Sequence, residues 1–299
     1  MMKLRDVVAT RETVRYGVGE LYGRDFAALS PQDMRSLSES SHTSQRCPFR
    51  LNNAKCNKRG GVCSLRPYIA QGGTAQPDNC ASPVTTCPNR FYDDDTILAW
   101  VGETLLETHE PIILKELPFL VPNSVPDSHE SKAVGKIDLV LLHPDTTTLR
   151  WCAVEMQAVY FSGDSMGNDF KIMKSWQGPG IPFPAGKRRP DFRSSGPKRL
   201  MPQLQIKVPT ISRWGKKMAV VVDEPFWNSL GNMAEVEHVS NCDIAWFVMR
   251  YEHDGTRFTL RRGSCHLTTL DRAVEGLTGG KPTSLADFED ALRAKLQVQ

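Results

Sequence analysis

Glu155 and Gln157 stand inside an otherwise apolar run, "RWCAVEMQAVYFSG", from Arg150 to Gly163. A carboxylate in such a run is costly to bury unless another group compensates its charge. The upstream run "KIDLVLLH" offers one. Pro144 and Asp145 open a turn. A loop over residues 145–148 sets Pro144 opposite Leu149 and Asp138 opposite Glu155. Directly opposite residues share a face, with Cβ atoms about 4.5–5.5 Å apart. Gln157 and Lys136, each two residues away, fall on that same face. Ile137, Leu139 and Leu141 then line the other face with Val154 and Met156.

Two carboxylates this close need a shared proton or a cation between them. Hard oxygen donors suit Mg²⁺, which can align a phosphodiester, activate a water and stabilise a leaving oxygen. Two other readings compete. A slip of one residue sends Glu155 to the opposite face. Two acids at a sheet edge can also simply face solvent.

Eight cysteines call for a second explanation. Five fall between Cys47 and Cys87, in "RCPFRLNNAKCNKRGGVC" and onward to "TTCPNR". This stretch is rich in Gly, Asn and Pro, shows little periodicity and needs a staple. Four thiolates can close a tetrahedral metal site and tie such a stretch down. Spacings of 9, 7 and 24 residues separate Cys47, Cys56, Cys63 and Cys87, with Cys80 left between the last two. Cys152, Cys242 and Cys265 sit in or beside apolar segments and read as small core residues.

A third feature is a basic block. Between Lys187 and Lys217 the chain carries Lys187, Arg188, Arg189, Arg193, Lys198, Arg199, Lys207, Arg213, Lys216 and Lys217, with Asp191 as the only acid. Such a block favours a polyanion such as nucleic acid. A solvated surface is the competing reading.

These residues need elements to hold them. The 299 residues are 40% hydrophobic and 24% charged, with a net charge of +3, which suits a folded chain of one large or two ordinary domains. No apolar stretch is long enough to span a membrane, and the N-terminal residues lack a signal-peptide core, so a soluble, cytoplasmic protein is expected. Three segments are predicted. Residues 1–46 form a helical segment and linker, with Val18, Leu21 and Tyr22 sharing a helix face and a polar, serine-rich stretch over 30–46. Residues 47–90 form the cysteine module. Residues 91–299 form the core, including the carboxylate hairpin at about 136–160 and the basic segment at about 187–217. "DDDTILAWVGETLLE" reads as a helix capped by Asp93–Asp95 rather than as an acidic metal site. Strands are expected in "EPIILKELPFLV", "KIDLVLLH", "TLRWCAVEMQAVYF", "MAVVVDEPFW", "CDIAWFVMRYE" and "FTLRRGSCHLTTL". Residues 163–197 read as loop, and the basic segment as helical pieces broken near Pro202 and Pro209. A last helix, "SLADFEDALRAKLQ", has Ser284 as its N-cap. The fold class is α/β, with an α+β mixed sheet flanked by helices.

"GKIDLVLL" followed by "AVEMQ" resembles the signature of PD-(D/E)XK nucleases, an Asp on one strand and Glu-x-Lys on the next. Ile137 stands where a proline is usual, and Gln157 where a lysine is usual. "CPF", "GVC" and "CPNR", then the Asp strand, then Glu-x-Gln, together resemble the NotI family of type II restriction endonucleases. "ELYG" upstream and "QLQIKVPTISRWGKKMAVVV" downstream extend the likeness from about Glu20 to Trp227. That family has Gln where other nucleases have Lys. The resemblance implies a restriction-endonuclease core with an inserted four-cysteine metal-binding module. Cys47, Cys56, Cys63 and Cys87 would hold a structural iron, with zinc as the chemical alternative and Cys80 as a substitute ligand.

It further implies Mg²⁺-dependent hydrolysis of double-stranded DNA at a specific, GC-rich palindrome by a homodimer. A cognate DNA methyltransferase would act on the same site. Asp138 and Glu155 would bind Mg²⁺ with help from the Met156 carbonyl, and Gln157 would orient water or a phosphate oxygen. Lys136 is a candidate for the missing cation. Glu20 is a candidate accessory acid reaching in from a helix. Arg188, Arg189, Arg193, Lys198, Arg199, Lys207, Arg213, Lys216 and Lys217 are the DNA-contact candidates. The rivals are a metal-stapled DNA-binding regulator without catalysis, which would not need the carboxylates, and a nuclease of the same fold with a repair role. A cysteine enzyme is disfavoured, since His42 and His266 are the only candidate base partners for the thiols.

Overall fold

A computed structural model describes residues 14–50, 54–72, 74–120, 135–279 and 283–296. Residues 1–13 of the expected N-terminal helical segment lie outside them. The chain opens with β1 (Val14–Leu21), β2 (Arg24–Asp25), α1 (Pro31–Glu39), β3 (Val62–Gln71), β4 (Thr74–Pro77) and β5 (Val84–Thr85). Next come α2 (Thr96–Leu106), β6 (Ile112–Leu120), β7 (Gly135–Leu142), β8 (Trp151–Met156), β9 (Tyr160–Gly163) and α3 (Gly167–Ser175). Then follow β10 (Arg188–Asp191), α4 (Phe192–Ser195), α5 (Met201–Arg213), β11 (Met218–Asp223) and α6 (Glu224–Asn228). The last elements are β12 (Ile244–His253), β13 (Phe258–Thr268), α7 (Leu270–Thr278) and α8 (Leu285–Leu296).

The expected strands between residues 112 and 268 assemble into one six-stranded sheet, ordered β13-β12-β11-β8-β7-β6. β11 runs parallel to β8 and β12, and the other neighbours are antiparallel. Every residue of β11, "MAVVVD", is buried. A continuous apolar run is what a central strand covered on both faces requires. On one face, Leu200, Leu204, Val208 and Ile211, on α5 and just before it, pack with Val140, Ala153, Val220 and Trp246. On the other, Ile97, Leu98 and Val101 of α2 pack with Leu139, Leu141, Val154, Val221 and Phe247. The result is the expected mixed α+β core, a mixed sheet flanked by helices. Among the described residues, no helix is long and apolar enough to cross a membrane.

The N-terminal stretch departs from expectation. Residues 14–21 form a strand, not a helix, in a second sheet ordered β2-β1-β3-β4, with β5 also on β3. Gly17 and Gly19 make "VRYGVGEL" a weak helix former. A Cβ at Gly19 would lie 2.8 Å from Ser64 Oγ, so close approach to β3 requires the glycine. The serine-rich stretch does start a helix: Ser30 Oγ accepts from the Asp33 N–H at 3.1 Å and caps α1. Within 163–197, α3, β10 and α4 replace part of the expected loop. α5 is one helix despite its prolines. Pro202 occupies its first turn, where a missing N–H costs nothing, and Pro209 faces out from its interior.

The two sheets are joined through Arg90. Its Nε donates to both Glu20 oxygens at 2.9 and 3.0 Å, its Nη1 to Asp93 Oδ2 at 2.9 Å and its Nη2 to the Phe258 carbonyl at 2.9 Å. The guanidinium carbon lies 4.4 Å from the Phe49 ring centroid and 5.3 Å from that of Tyr251. Arg90 and Glu20 are both fully buried. Asp93 is therefore not a helix cap: its Oδ2 also accepts from the Leu260 N–H. Asp95 precedes α2 in a left-handed conformation with no side-chain cap bond.

Arg90→Ala strands the Glu20 carboxylate in a dry interior. Urea denaturation should show a loss of about 3–5 kcal/mol. Glu103→Ala, which removes the exposed partner of Arg262, should cost less than about 1 kcal/mol. Similar costs for the two substitutions would contradict the assigned role of Arg90.

Candidate active site and cysteine cluster

The β7–β8 hairpin carries the two acids. Leu139 pairs with Val154, Val140 with Ala153, Leu141 with Cys152 and Leu142 with Trp151. The His143 N–H then donates to the Arg150 carbonyl at 2.9 Å. This is the register expected from the turn; the ladder ends at Leu139–Val154, and Asp138 and Glu155 are the next residue on each side of it. In the turn, Asp145 Oδ1 accepts from the Thr147 N–H at 3.0 Å. The β6–β7 ladder steps from Lys115–Leu139 to Leu117–Ile137, so Glu116 and Asp138 are not a ladder pair, and Glu116 has φ 55°. The break accompanies a change of side for Ile137. It joins the α5-side cluster with Val140 rather than the cluster of Leu139 and Leu141.

Glu155 is buried and Asp138 is open, with 7% and 66% of their side chains exposed. Lys207 of α5 meets both. Its Nζ donates to Glu155 Oε2 at 2.7 Å and to Gln203 Oε1 at 3.0 Å, and lies 3.7 Å from Asp138 Oδ2. Burial pushes the Glu155 carboxyl up, Lys207 pulls it down, and the Asp138 charge raises it again. Gln157 follows on the same side. Its N–H donates to the Val221 carbonyl at 3.0 Å, and its Nε2 donates to the Ala158 carbonyl at 2.5 Å.

These groups line a cleft of about 760 Å³. Asp138, Glu155, Gln157, Tyr160, Arg199 and Gln203 form one part of its lining. Asn57, Lys58, Thr86, Cys87 and Asn89 from the cysteine region form another. The Arg199 guanidinium carbon lies 3.6 Å from the Tyr160 ring centroid, and both side chains are exposed. Asn89 Nδ2 donates to Asn57 Oδ1 at 3.0 Å, joining the two cysteine-bearing loops. Lys58 Nζ donates to the Thr86 carbonyl. Burial lowers the Lys58 pKa against the opposing pull of Cys87, Cys63 and Cys56.

Cys47, Cys56, Cys63 and Cys87 are all free and buried. Backbone bonds draw their loops together: Cys47 N–H to Ala54, Cys56 N–H to Gln45 and Cys87 N–H to Cys63, at 2.9, 2.8 and 3.2 Å. Burial raises the Cys47 thiol, which also feels Cys56 and Cys87. Cys63, raised by burial and by Glu20, feels Cys87. Cys80 is exposed and lines a different cleft with Arg66, Asn79 and His253. Among the described residues, no group of three or more His, Cys, Asp or Glu side chains is drawn in to metal-binding geometry. The cysteine region has no core of its own; Cys47, Cys56 and Cys63 share one with Val18, Leu21, Phe26 and Met34.

Several expected roles change. Glu20 lies on β1, not a helix, and is held by Arg90 and by Ser64 Oγ at 2.8 Å. It does not line the carboxylate cleft. Lys136 turns outward to Glu116 at 3.0 Å, a surface pair at the sheet edge. Arg188 is buried against Asp169 with a closest approach of 2.5 Å, so it locks β10 to α3 and does not face a polyanion. Lys207 is buried at the carboxylates. Lys217 Nζ donates to the Ser240 and Cys242 carbonyls, at 2.9 and 2.5 Å. Lys216 Nζ donates to the Leu149 carbonyl at 3.3 Å. Arg189, Arg193, Lys198, Arg199 and Arg213 remain exposed.

Sequence reasoning missed what Arg90 and Lys207 do. The signal for Lys207 was its place in the stripe Leu200, Leu204, Lys207, Val208, Ile211, a lysine on the buried face of a helix. For Arg90 it was an acid three residues on, Asp93.

No curated protein matches the chain. The family model for restriction endonuclease NotI matches residues 34–260. That span holds the cysteine loops, the carboxylate hairpin and α5, which meet at one cleft. The chain belongs to the NotI restriction endonuclease family and is a site-specific deoxyribonuclease of double-stranded DNA.

Proposed function

We propose that this endonuclease cuts DNA at the cleft beside the β7–β8 hairpin, with a PD-(D/E)XK-type arrangement in which Asp138 and Glu155 hold Mg²⁺. The carrying observation is that the two acids adjoin the last rung of the β7–β8 ladder and share one ammonium, 2.7 Å from Glu155 and 3.7 Å from Asp138. The donor set fits the ion: two carboxylates, one buried and one open to solvent, at a cleft where positive charge is accommodated. Bound there, Mg²⁺ would polarise the phosphate and make water a better nucleophile. The protein's own groups do the rest. Arg199, braced on Tyr160, offers its guanidinium to a phosphate oxygen. Gln157 is neutral, so it orients but does not transfer protons. A water oxygen forms the new bond to phosphorus and releases a proton to solvent, the bond to one ester oxygen breaks, and that oxygen takes a proton from solvent.

The substrate is a palindrome, GC-rich by analogy with the family, and a cognate methyltransferase would protect the same sequence. A palindrome calls for a two-fold homodimer. A feature of α8 supports one. Leu285, Phe288, Leu292 and Leu296 form an exposed apolar stripe. Asp287, Glu289 and Asp290 lie in the first part of the helix, and Arg293 and Lys295 in the last. Two copies packed antiparallel bury the stripe and set acid against base.

Cys47, Cys56, Cys63 and Cys87 would hold the structural metal, iron or zinc. The chemistry of the set fits: four buried thiols on loops drawn together by backbone hydrogen bonds. Cys80 lies elsewhere and is not required. A regulator has no use for the acid pair, and family membership weighs against it. A repair nuclease would degrade DNA without discrete products.

Asp138→Asn and Glu155→Gln should each lower cleavage by about 10³-fold or more, with DNA affinity retained. Digestion of phage DNA with Mg²⁺ should give discrete bands with the unmodified enzyme; a smear would point to the repair role. Elemental analysis should find one iron or zinc per chain. Cys87→Ser should lose the metal and melt lower, while Cys80→Ser should do neither. Leu292→Glu should sediment as a monomer; an unchanged dimer would remove α8 from the interface.

A further inference from the structure

We propose that Lys207, carried by α5 rather than by the hairpin, supplies the active-site cation that Gln157 cannot. The inference rests on the hairpin being the cleavage site. Three observations carry it. Gln157 follows Glu155 on the same side but holds no charge, and its amide is spent on the Ala158 carbonyl. Lys207 is buried, yet its Nζ reaches both acids, at 2.7 Å from Glu155 and 3.7 Å from Asp138. Gln203, one helical turn earlier, fixes the ammonium at 3.0 Å.

The fold does not ask for this lysine. Leu204, Val208 and Ile211 already seat α5 on the sheet. A buried ion pair stabilises no better than apolar residues of the same volume. Other basic residues on and around α5, Lys198, Arg199 and Arg213, face outward. One lysine is turned inward, and it ends on the two carboxylates. Lys136, the cation nearest in sequence, is spent on Glu116 at the surface.

The proposed division of labour follows from charge. Before DNA arrives, Lys207 holds the two neighbouring carboxylates in place by attraction to its ammonium. During hydrolysis, negative charge builds on the phosphoryl oxygens, and a fixed ammonium held against the two acids opposes it. The cation is thus set by tertiary contact, and strand position 157 and helix position 207 should be interchangeable sources of it.

The test uses the full chain and single-turnover cleavage of phage DNA in Mg²⁺, with DNA affinity measured without Mg²⁺ and melting temperature recorded. Lys207→Met should lower the cleavage rate by about 10²–10³-fold, measured well below its melting temperature, with affinity little changed; the melting temperature itself should fall, because Glu155 loses its buried partner. Lys207→Arg should retain part of the rate. Adding Gln157→Lys to Lys207→Met should recover at least about tenfold. Wild-type cleavage by Lys207→Met, with Asp138→Asn inactive, overturns the role while leaving the site intact. Loss of rate only in step with loss of the folded state also overturns it. If Lys207→Met does not fold, the double variant decides: folded and active supports the role, folded and inactive refutes it. Full activity of Asp138→Asn would instead remove the site itself.

Discussion

A guanidinium sealed from water sits where the two larger sheets of this protein meet. Arg90 is held by Glu20 of the N-terminal sheet, by Asp93 just before α2 and by the Phe258 carbonyl of β13. Phe49 and Tyr251 cover its faces. Each anion or ring comes from a different part of the chain, so the charge is satisfied only when all of them assemble. A buried ion pair of this kind adds little stability over apolar packing, but breaking it leaves an uncompensated charge. It therefore acts as a condition on the fold: the cysteine loops must sit against the endonuclease sheet in one orientation.

That condition has a consequence at the cleft. Arg90 follows Cys87, Pro88 and Asn89 in sequence, and those three residues line the cavity that holds Asp138 and Glu155. The loops carrying Cys56 and Cys87 meet through Asn57 and Asn89 at the same cavity. The cysteine cluster and the carboxylate pair are thus two sides of one opening, although about 50 residues separate Cys87 from Asp138 in the chain. Fixing the cysteine loops fixes the width of the opening beside the two acids.

The basic segment divides along the same lines. Arg188 is consumed by Asp169, Lys207 by the two acids and Lys217 by backbone carbonyls. What remains exposed, with Arg199 braced on Tyr160, is a smaller positive surface than the composition suggests. Charge counting cannot separate these roles, because an arginine that locks two elements and one that meets a phosphate have the same sequence signal.

Much of the centre of the molecule was legible in the sequence. The hairpin register followed from a turn at Pro144 and Asp145 and from alternation of apolar residues, because a one-residue slip would expose the whole core face. The order of strands in the chain, the family and the pairing of Asp138 with Glu155 came from the same local patterns. What local pattern could not settle was anything decided by contact between distant segments. Val18, Leu21 and Tyr22 had helical spacing, but pairing with β3 made Val14–Leu21 a strand. Glu20 found Arg90, and Lys207 left the expected DNA surface for the carboxylates. These outcomes depend on desolvation. A charge is free to remain in water until the fold removes the water, and only the tertiary structure determines which partner is then within reach.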